Sequence, residues 1–388
     1  MDIIICGNLR FPRGSAGANY IQYFAMALAE VGNKVYIITD VNGSENEYLN
    51  NFLRKNKNIK VVDIGLSNNK IIHFLQYKYL LKKIIGKQLK KHIKNENTFV
   101  IGYSSNNNIH KAILNLKNKG VKCGACVVEW YPKEYFNGDK AKEKEYNKLF
   151  YSLFPKYDFL IPISSYIENH FKEIGSKTIC VPILADPYEY NYSQKSLDTM
   201  DESINIIYPA NGRIKDSVDE MLKAFGLLPD NEAKRINLHI TGINKDKIVS
   251  CLGKDYQRIK EQIVLHSWMN YEELISLYSN MDYLLLAREN NQLTRANFPS
   301  KVPEVMTYGV VPIVSEVGDY TKFYLTDKKN AIFLPGNDAF SIANTLKKVL
   351  KIDKKERLQM SIAARETVTE KFFYKNWGFQ INDFLNCL

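Results

Sequence analysis

Cysteine is scarce. Six in 388 residues, widely scattered, exclude the disulfide framework of a small secreted fold. Cys123 and Cys126 form a C-x-x-C with no second pair to complete a zinc ribbon. They lie in a strand-like run rather than at a helix start, so they read as small strand residues, not a redox couple. No apolar run reaches the roughly 18 residues that cross a bilayer. The opening MDIIICGN enters a strand-like run with no basic stretch or cleavage site before it, so a cytoplasmic protein is expected. No D-x-D occurs, and no RNA-binding signature, zinc finger or arginine-rich stripe. The net charge of +11 therefore points to an anionic ligand or an anionic membrane surface, and not to nucleic acid. One stretch lacks charge of one sign: Lys70 to Lys94 holds eight lysines and no acid.

What is present fits a globular α/β chain of about two domains, with 45% hydrophobic and 24% charged residues. Short apolar runs at Ile3–Cys6, Val35–Thr39, Val61–Ile64, Phe99–Tyr103, Gly124–Val128, Phe159–Ile163 and Ile179–Ile183 alternate with helical periodicity. Asn191 to Ser203 is polar and without a period, and reads as a linker. A second series follows at Ile204–Tyr208, Ile236–Thr241, Ile263–His266, Tyr283–Ala287 and Val310–Val314. This alternation predicts parallel sheets with helices on both faces.

Three regions carry candidate chemistry. The first strand leads into a turn with Gly14 and Gly17, suited to phosphate or sugar binding through backbone N–H groups, or serving as a plain strand-to-helix turn. Glu129 follows a strand, where a carboxylate can bind an acceptor or move a proton. Leu284 to Ser315 reads as strand, long loop, short helix, strand, with Ser300 as the helix cap, Pro303 in its first turn and Gly309 ending it. Arg288, Lys301 and Glu304 lie in or beside the mouth this creates. Two cations suit a phosphate, and a carboxylate one turn into the helix suits sugar hydroxyls.

The run PSKVPEVMTYGVVPIVSEVGDY resembles the donor-binding segment of the family 4 glycosyltransferases, which have the GT-B fold. Glu304 matches the glutamate that holds the nucleotide ribose in that family. The position of the family's first glutamate is Ala296, so the usual contact to the transferred sugar is missing. Arg288 and Pro299-Ser300-Lys301 look like a variant found in some members. YPANGRIKDSVDEMLKAF resembles the start of the family's second domain, which implies diphosphate binding by Arg213. Asp216-Ser217 stand where a Lys-Gly pair is usual, with Lys215 one residue early. The Gly14–Gly17 turn resembles the loop that lies against donor phosphate and acceptor.

The resemblance implies two Rossmann-like domains facing across a cleft: 1–190 for the acceptor, 191–370 for the nucleotide-sugar, and 371–388 as a helix crossing back to the first. It implies a metal-independent, cofactor-free, retaining transferase acting on a saccharide or lipid-linked acceptor. Glu129, Arg213 and Lys301 are then the catalytic candidates. Gly14, Gly17, Arg213, Lys215, Arg288, Ser300, Lys301 and Glu304 are the donor-binding candidates. A GT-B sugar-nucleotide epimerase and an inactive, basic, membrane-binding GT-B protein remain alternatives. For the last, Leu81, Ile85, Leu89 and Ile93 with the surrounding lysines form an amphipathic helix that fits an anionic bilayer, peripheral on the inner face of the cell membrane, or a domain helix with a solvated basic face.

Overall fold

Most of the short apolar runs form strands, and the described residues hold twelve strands in two all-parallel sheets. In the computed structural model, which describes all residues except 13–14, 42–45, 95–96, 191 and 210–213, the chain divides into two units. The first comprises residues 1–184 and 374–388, the second residues 185–373.

In the first unit β1 (Asp2–Arg10), β2 (Lys34–Asp40), β3 (Ile59–Asp63), β4 (Thr98–Tyr103), β5 (Lys122–Val127) and β6 (Phe159–Pro162) lie in the order β3-β2-β1-β4-β5-β6. Every pairing is parallel. Ile3, Ile4 and Ile5 are all buried, because helices cover both faces of a parallel sheet. That is why such strands read as continuous apolar runs and not as alternating ones. The order reverses between β1 and β4, where Gly7 pairs with Tyr103.

The second unit repeats the plan with β7 (Ile204–Pro209), β8 (Ile236–Thr241), β9 (Ile263–His266), β10 (Tyr283–Leu286), β11 (Val311–Ser315) and β12 (Ile332–Leu334). Their order is β12-β11-β10-β7-β8-β9, and the reversal falls between β7 and β10. In open sheets of this kind, ligands bind at the carboxyl ends of the strands flanking such a reversal.

The helix Gly378–Asn386 returns to the first unit and packs on the helix Ala16–Glu30. A Cβ at Gly378 would lie 2.4 Å from the carbonyl oxygen of Ala27, so the two helices meet at a point only glycine permits. Ile381 and Leu385 are buried in this contact, worth roughly 1.5–3 kcal/mol each. Asn33 Nδ2 donates to Asn382 Oδ1 at 2.9 Å.

Three expectations are corrected. Ile179–Ile183 is not a strand. It follows β6 through Ile179 N–H to the Leu160 carbonyl (3.2 Å) and Val181 N–H to the Pro162 carbonyl (2.9 Å), but Pro182 has no N–H to continue a ladder. The stretch from 192 to 203 is docked on the second unit, not free: Lys195 Nζ pairs with Asp282 Oδ1 at 3.0 Å, and the Arg365 guanidinium stacks on Tyr192 at 4.1 Å. The long loop after β10 holds a helix, Gln292–Ala296, capped by the Asn291 side chain. Cys123 and Cys126 are buried in β5, and burial pushes both thiols up to about 12, which leaves them unreactive.

Candidate active site

The reversal in the second unit gathers one polar cluster. Asp216 comes from the turn after β7, Arg288 from the residues following β10, and Lys301 opens the helix Lys301–Met306 before β11. Asp216 is the hub. Its Oδ1 accepts from Arg288 Nε at 2.8 Å, and its Oδ2 accepts from Tyr208 Oη at 2.8 Å and from Lys301 Nζ at 3.2 Å. The Lys301 ammonium also lies 5.5 Å over the Tyr208 ring. Arg288 is buried and fixed further: its Nη1 donates to Asn297 Oδ1 at 2.9 Å, and its backbone N–H to Ser315 Oγ at 2.9 Å.

Charge in this cluster is shared unevenly. Burial works to raise the Asp216 carboxyl, but Arg288, Lys301 and the Tyr208 hydroxyl outweigh it and its pKa is lowered. Burial also lowers the pKa of Lys301; the pull of Asp216 opposes this, while nearby Arg288 adds to the lowering. The carboxylate thus accepts from three donors, whereas the ammonium has Asp216 Oδ2 and the face of the Tyr208 ring. With a side chain 20% exposed against 4% for Arg288, Lys301 is the cation better placed to exchange its partner for an anion.

Glu304 lies on the same short helix, one turn on. Burial raises its carboxyl to about 7, against the Tyr278 hydroxyl bonded to it and the Lys301 charge, both of which lower it; Glu189 adds to the rise. Gly309 ends the helix at φ +68°, with Val310 N–H returning to the Val305 carbonyl at 3.3 Å. Ser300 does not cap it. It has helical backbone angles (φ −57°, ψ −27°) and makes no side-chain cap bond. The turn already closes through Val302 N–H to the Pro299 carbonyl at 3.0 Å, so Ser300 is inside the first turn, not ahead of it.

In the first unit, Gly17 lies in the first turn of the helix capped by Ser15, and a Cβ there would meet Tyr103 Oη at 2.7 Å. Glu129 follows β5. Its charge is felt by Tyr103, Tyr131 and Tyr146, whose hydroxyl pKa values burial chiefly raises. Tyr146 Oη donates to the Glu129 carbonyl at 3.1 Å and accepts from Tyr131 N–H at 2.9 Å, which fixes the backbone behind the carboxylate. Gly17, Tyr103 and Glu129 are thus brought to the carboxyl ends of β1, β4 and β5.

Of the sequence-predicted residues, Arg288, Lys301 and Glu304 come together in the second unit, and Lys215 lies in the turn beside Asp216. Gly14 and Arg213 lie outside the described residues. Asp216 was visible only as the residue in a lysine's place, and Tyr208, Tyr278 and Asn297 were not foreseen. Asn291 with Thr294 three residues on is a capping-box spacing, a signal that could have shown the extra helix.

Residues 192–367 match the family model described as Glycosyl transferases group 1. That stretch, which spans most of the second unit, is therefore a glycosyltransferase domain of group 1, the GT4 class, and the chain's two parallel-sheet domains have the GT-B fold. The Anabaena HepE structure with UDP and glucose is similar over 100% of both chains, at 12% identity and TM-score 0.69. Sucrose-phosphate synthase of Thermosynechococcus elongatus matches at 13% identity and TM-score 0.72, over 99% of this chain and 98% of the other. A variant of S. aureus TarM with fondaparinux, alpha-GlcNAc-glycerol and UDP matches at 9% identity and TM-score 0.72, over 99% of each chain. No curated protein matches the sequence.

Proposed function

We propose that the protein moves a hexosyl group from a nucleotide-sugar, with retention, to a saccharide or lipid-linked acceptor. The observation that carries this is the grouping of Lys301 and Glu304 on one short helix at the strand reversal of the second unit, within the stretch that matches the group 1 family. Lys301, with Lys215 and the motif residue Arg213, takes the diphosphate. Glu304 takes the ribose hydroxyls. The solved HepE complexes with UDP, and with UDP-glucose, support a nucleotide-sugar donor of that kind.

In this reading the leaving diphosphate departs on the face the acceptor attacks, and one of its oxygens takes the acceptor proton. The protein then needs no side-chain nucleophile. Lys301 and Arg213 stabilise charge that grows on the leaving group, the type of interaction whose loss costs about 10²–10³ in turnover. Gly14 and Gly17 serve the donor phosphate as well as the acceptor, and Glu129 serves the acceptor. No metal is required, because side-chain cations do the neutralising.

The experiment is a thermal-shift screen with UDP, GDP, ADP and TDP sugars, followed by a transfer assay with the stabilising donor. One base should raise the melting temperature, since a ligand that binds only the folded state stabilises it by mass action. Product should form only with acceptor present. Epimer formed from donor alone would establish the epimerase instead. Donor binding without turnover over a broad acceptor panel would establish an inactive protein.

A further inference from the structure

The basic segment of the first unit divides into two parts with opposite fates. In the helix Leu81–His92 the apolar stripe Leu81, Ile85 and Leu89 is fully buried, so this helix is a domain helix with a solvated lysine face. The residues before it behave otherwise. The helix Lys70–Leu75 and the wide turn Gln76–Leu80 leave Ile71 72%, Phe74 58% and Tyr79 65% exposed, with Ile72, Leu75 and Leu80 about half exposed.

This apolar surface is held in place. Asn69 caps the first helix through the N–H groups of Ile71 and Ile72, and Gln76 Oε1 accepts from Ser67 N–H at 2.7 Å. His73 stacks on Tyr77 and lies 4.0 Å from Asp40. His73, Gln76 and Tyr77 thus anchor one side, and the apolar residues project from the other. Six of the eighteen large apolar side chains exposed among the described residues fall in these eleven positions, which marks a patch and not scatter.

The rim of the patch is cationic. Lys70, Lys78, Lys82, Lys83, Lys87, Lys90, Lys91 and Lys94 are all exposed, and no acid interrupts them. Lys78 Nζ lies 5.6 Å over Phe74 and 5.2 Å over Tyr79, so charge and apolar rings are interleaved. No helix of the described residues is long and apolar enough to cross a membrane.

We propose that Ile71–Leu80 is a wedge that inserts into the headgroup layer of an anionic bilayer, with the lysines of residues 70–94 lying on its surface. Charge complementarity decides for this occupant: a one-sign basic rim around projecting Ile, Leu, Phe and Tyr matches anionic headgroups over acyl chains. The wedge presents the first unit, where the acceptor-side residues lie, to a lipid surface.

The test uses the whole protein and vesicles of phosphatidylcholine with and without about 30% phosphatidylglycerol, an anionic lipid of the kind that attracts basic segments. Binding should require the anionic lipid and fall as salt rises, since such attraction is screened. Lys82→Gln, Lys83→Gln, Lys90→Gln and Lys91→Gln together should weaken it at least about a hundredfold, each lysine near the surface being worth roughly fivefold. These side chains are exposed, so the melting temperature should hold. The Phe74→Trp variant should gain an emission that shifts to the blue on anionic vesicles and is quenched by brominated acyl chains. Failure to bind, equal binding to neutral vesicles, unchanged binding by the lysine variant, or an unmoved emission from the Phe74→Trp variant would each overturn the proposal. Self-association without vesicle binding would assign the patch to a second copy of the chain instead.

Discussion

The ammonium of Lys301 lies 3.2 Å from a carboxylate oxygen of Asp216, so the cation best placed for a phosphate is already held by an acid of the same unit. Arg288 shares that acid at 2.8 Å and is more deeply buried. Breaking a buried ion pair by removing one partner costs about 3–5 kcal/mol. Asp216→Asn should therefore lower stability markedly, because Arg288 keeps its charge without its counter-ion. Lys301→Met should cost much less, since Asp216 retains Arg288 and Tyr208. Yet Lys301→Met should weaken nucleoside diphosphate binding roughly tenfold or more while sparing the nucleoside, a tenfold change being about 1.4 kcal/mol. Denaturant titration and calorimetry together check this; unchanged diphosphate affinity in the lysine variant would remove Lys301 from the donor site.

Glu304 gives a pH dependence. Its carboxyl is raised from 4.5 to about 7 in the folded protein. The folded state therefore holds an extra proton between those values, and this contribution to stability is complete below about pH 4.5 and lost as pH rises through 7. Ribose hydroxyls donate best to the ionised form. Affinity for a nucleotide-sugar, whose diphosphate does not itself titrate here, should thus rise through pH 7, with proton release on binding. Glu304→Gln should bind roughly tenfold more weakly at pH 8 and lose both effects. Titrations in buffers of different ionisation enthalpy would show whether the proton is released; pH-independent affinity in the wild type would refute the ribose assignment.

Glu129 is separated from the donor residues by its unit. Glu129→Gln should reduce turnover by about 10²–10⁴, the usual range for proton-transfer groups, with nucleotide affinity unchanged. Steady-state rates beside calorimetric titration distinguish this from a surface acid, whose loss would move neither.

Gly309→Ala should destabilise the second unit. The residue has φ +68°, and a Cβ would lie 2.5 Å from Ser361 Oγ and 2.7 Å from Tyr192 Oη. Ser361 Oγ also donates to the Gly309 carbonyl at 2.6 Å. Strained backbone alone costs about 1–3 kcal/mol, and the clash adds to it. A melting temperature equal to wild type would show that the loop relaxes freely.

The sheets were legible because most of these parallel strands are buried on both faces and so read as unbroken apolar runs; Tyr283–Ala287 and Ile3–Cys6 are examples. Glu304 and Lys301 were legible because family resemblance fixed their place on one helix. Asp216 was not, because a side chain's partner depends on which strand ends the fold makes neighbours. Residues 216 and 288 meet only because β7 lies beside β10. The split at residue 80 was hidden for a similar reason. Periodicity marks Leu81, Ile85 and Leu89 as one stripe and Ile71, Phe74, Leu75 and Tyr79 as another, but it does not say which of the two the rest of the fold covers.

The return of Gly378–Asn386 to the helix Ala16–Glu30 also sets an order of assembly. The first unit cannot be finished until residues 185–373 have been made, and the Asn33–Asn382 bond joins positions 349 apart in the chain. During synthesis the groove beside Ala27 stays uncovered while the whole second unit emerges and folds. Contacts so distant in sequence form late and close slowly. The exposed flank of the Ala16–Glu30 helix is therefore where a nascent chain is most open to chaperones and to mispairing with a neighbour, and a truncation ahead of Gly378 would leave it in that state for good.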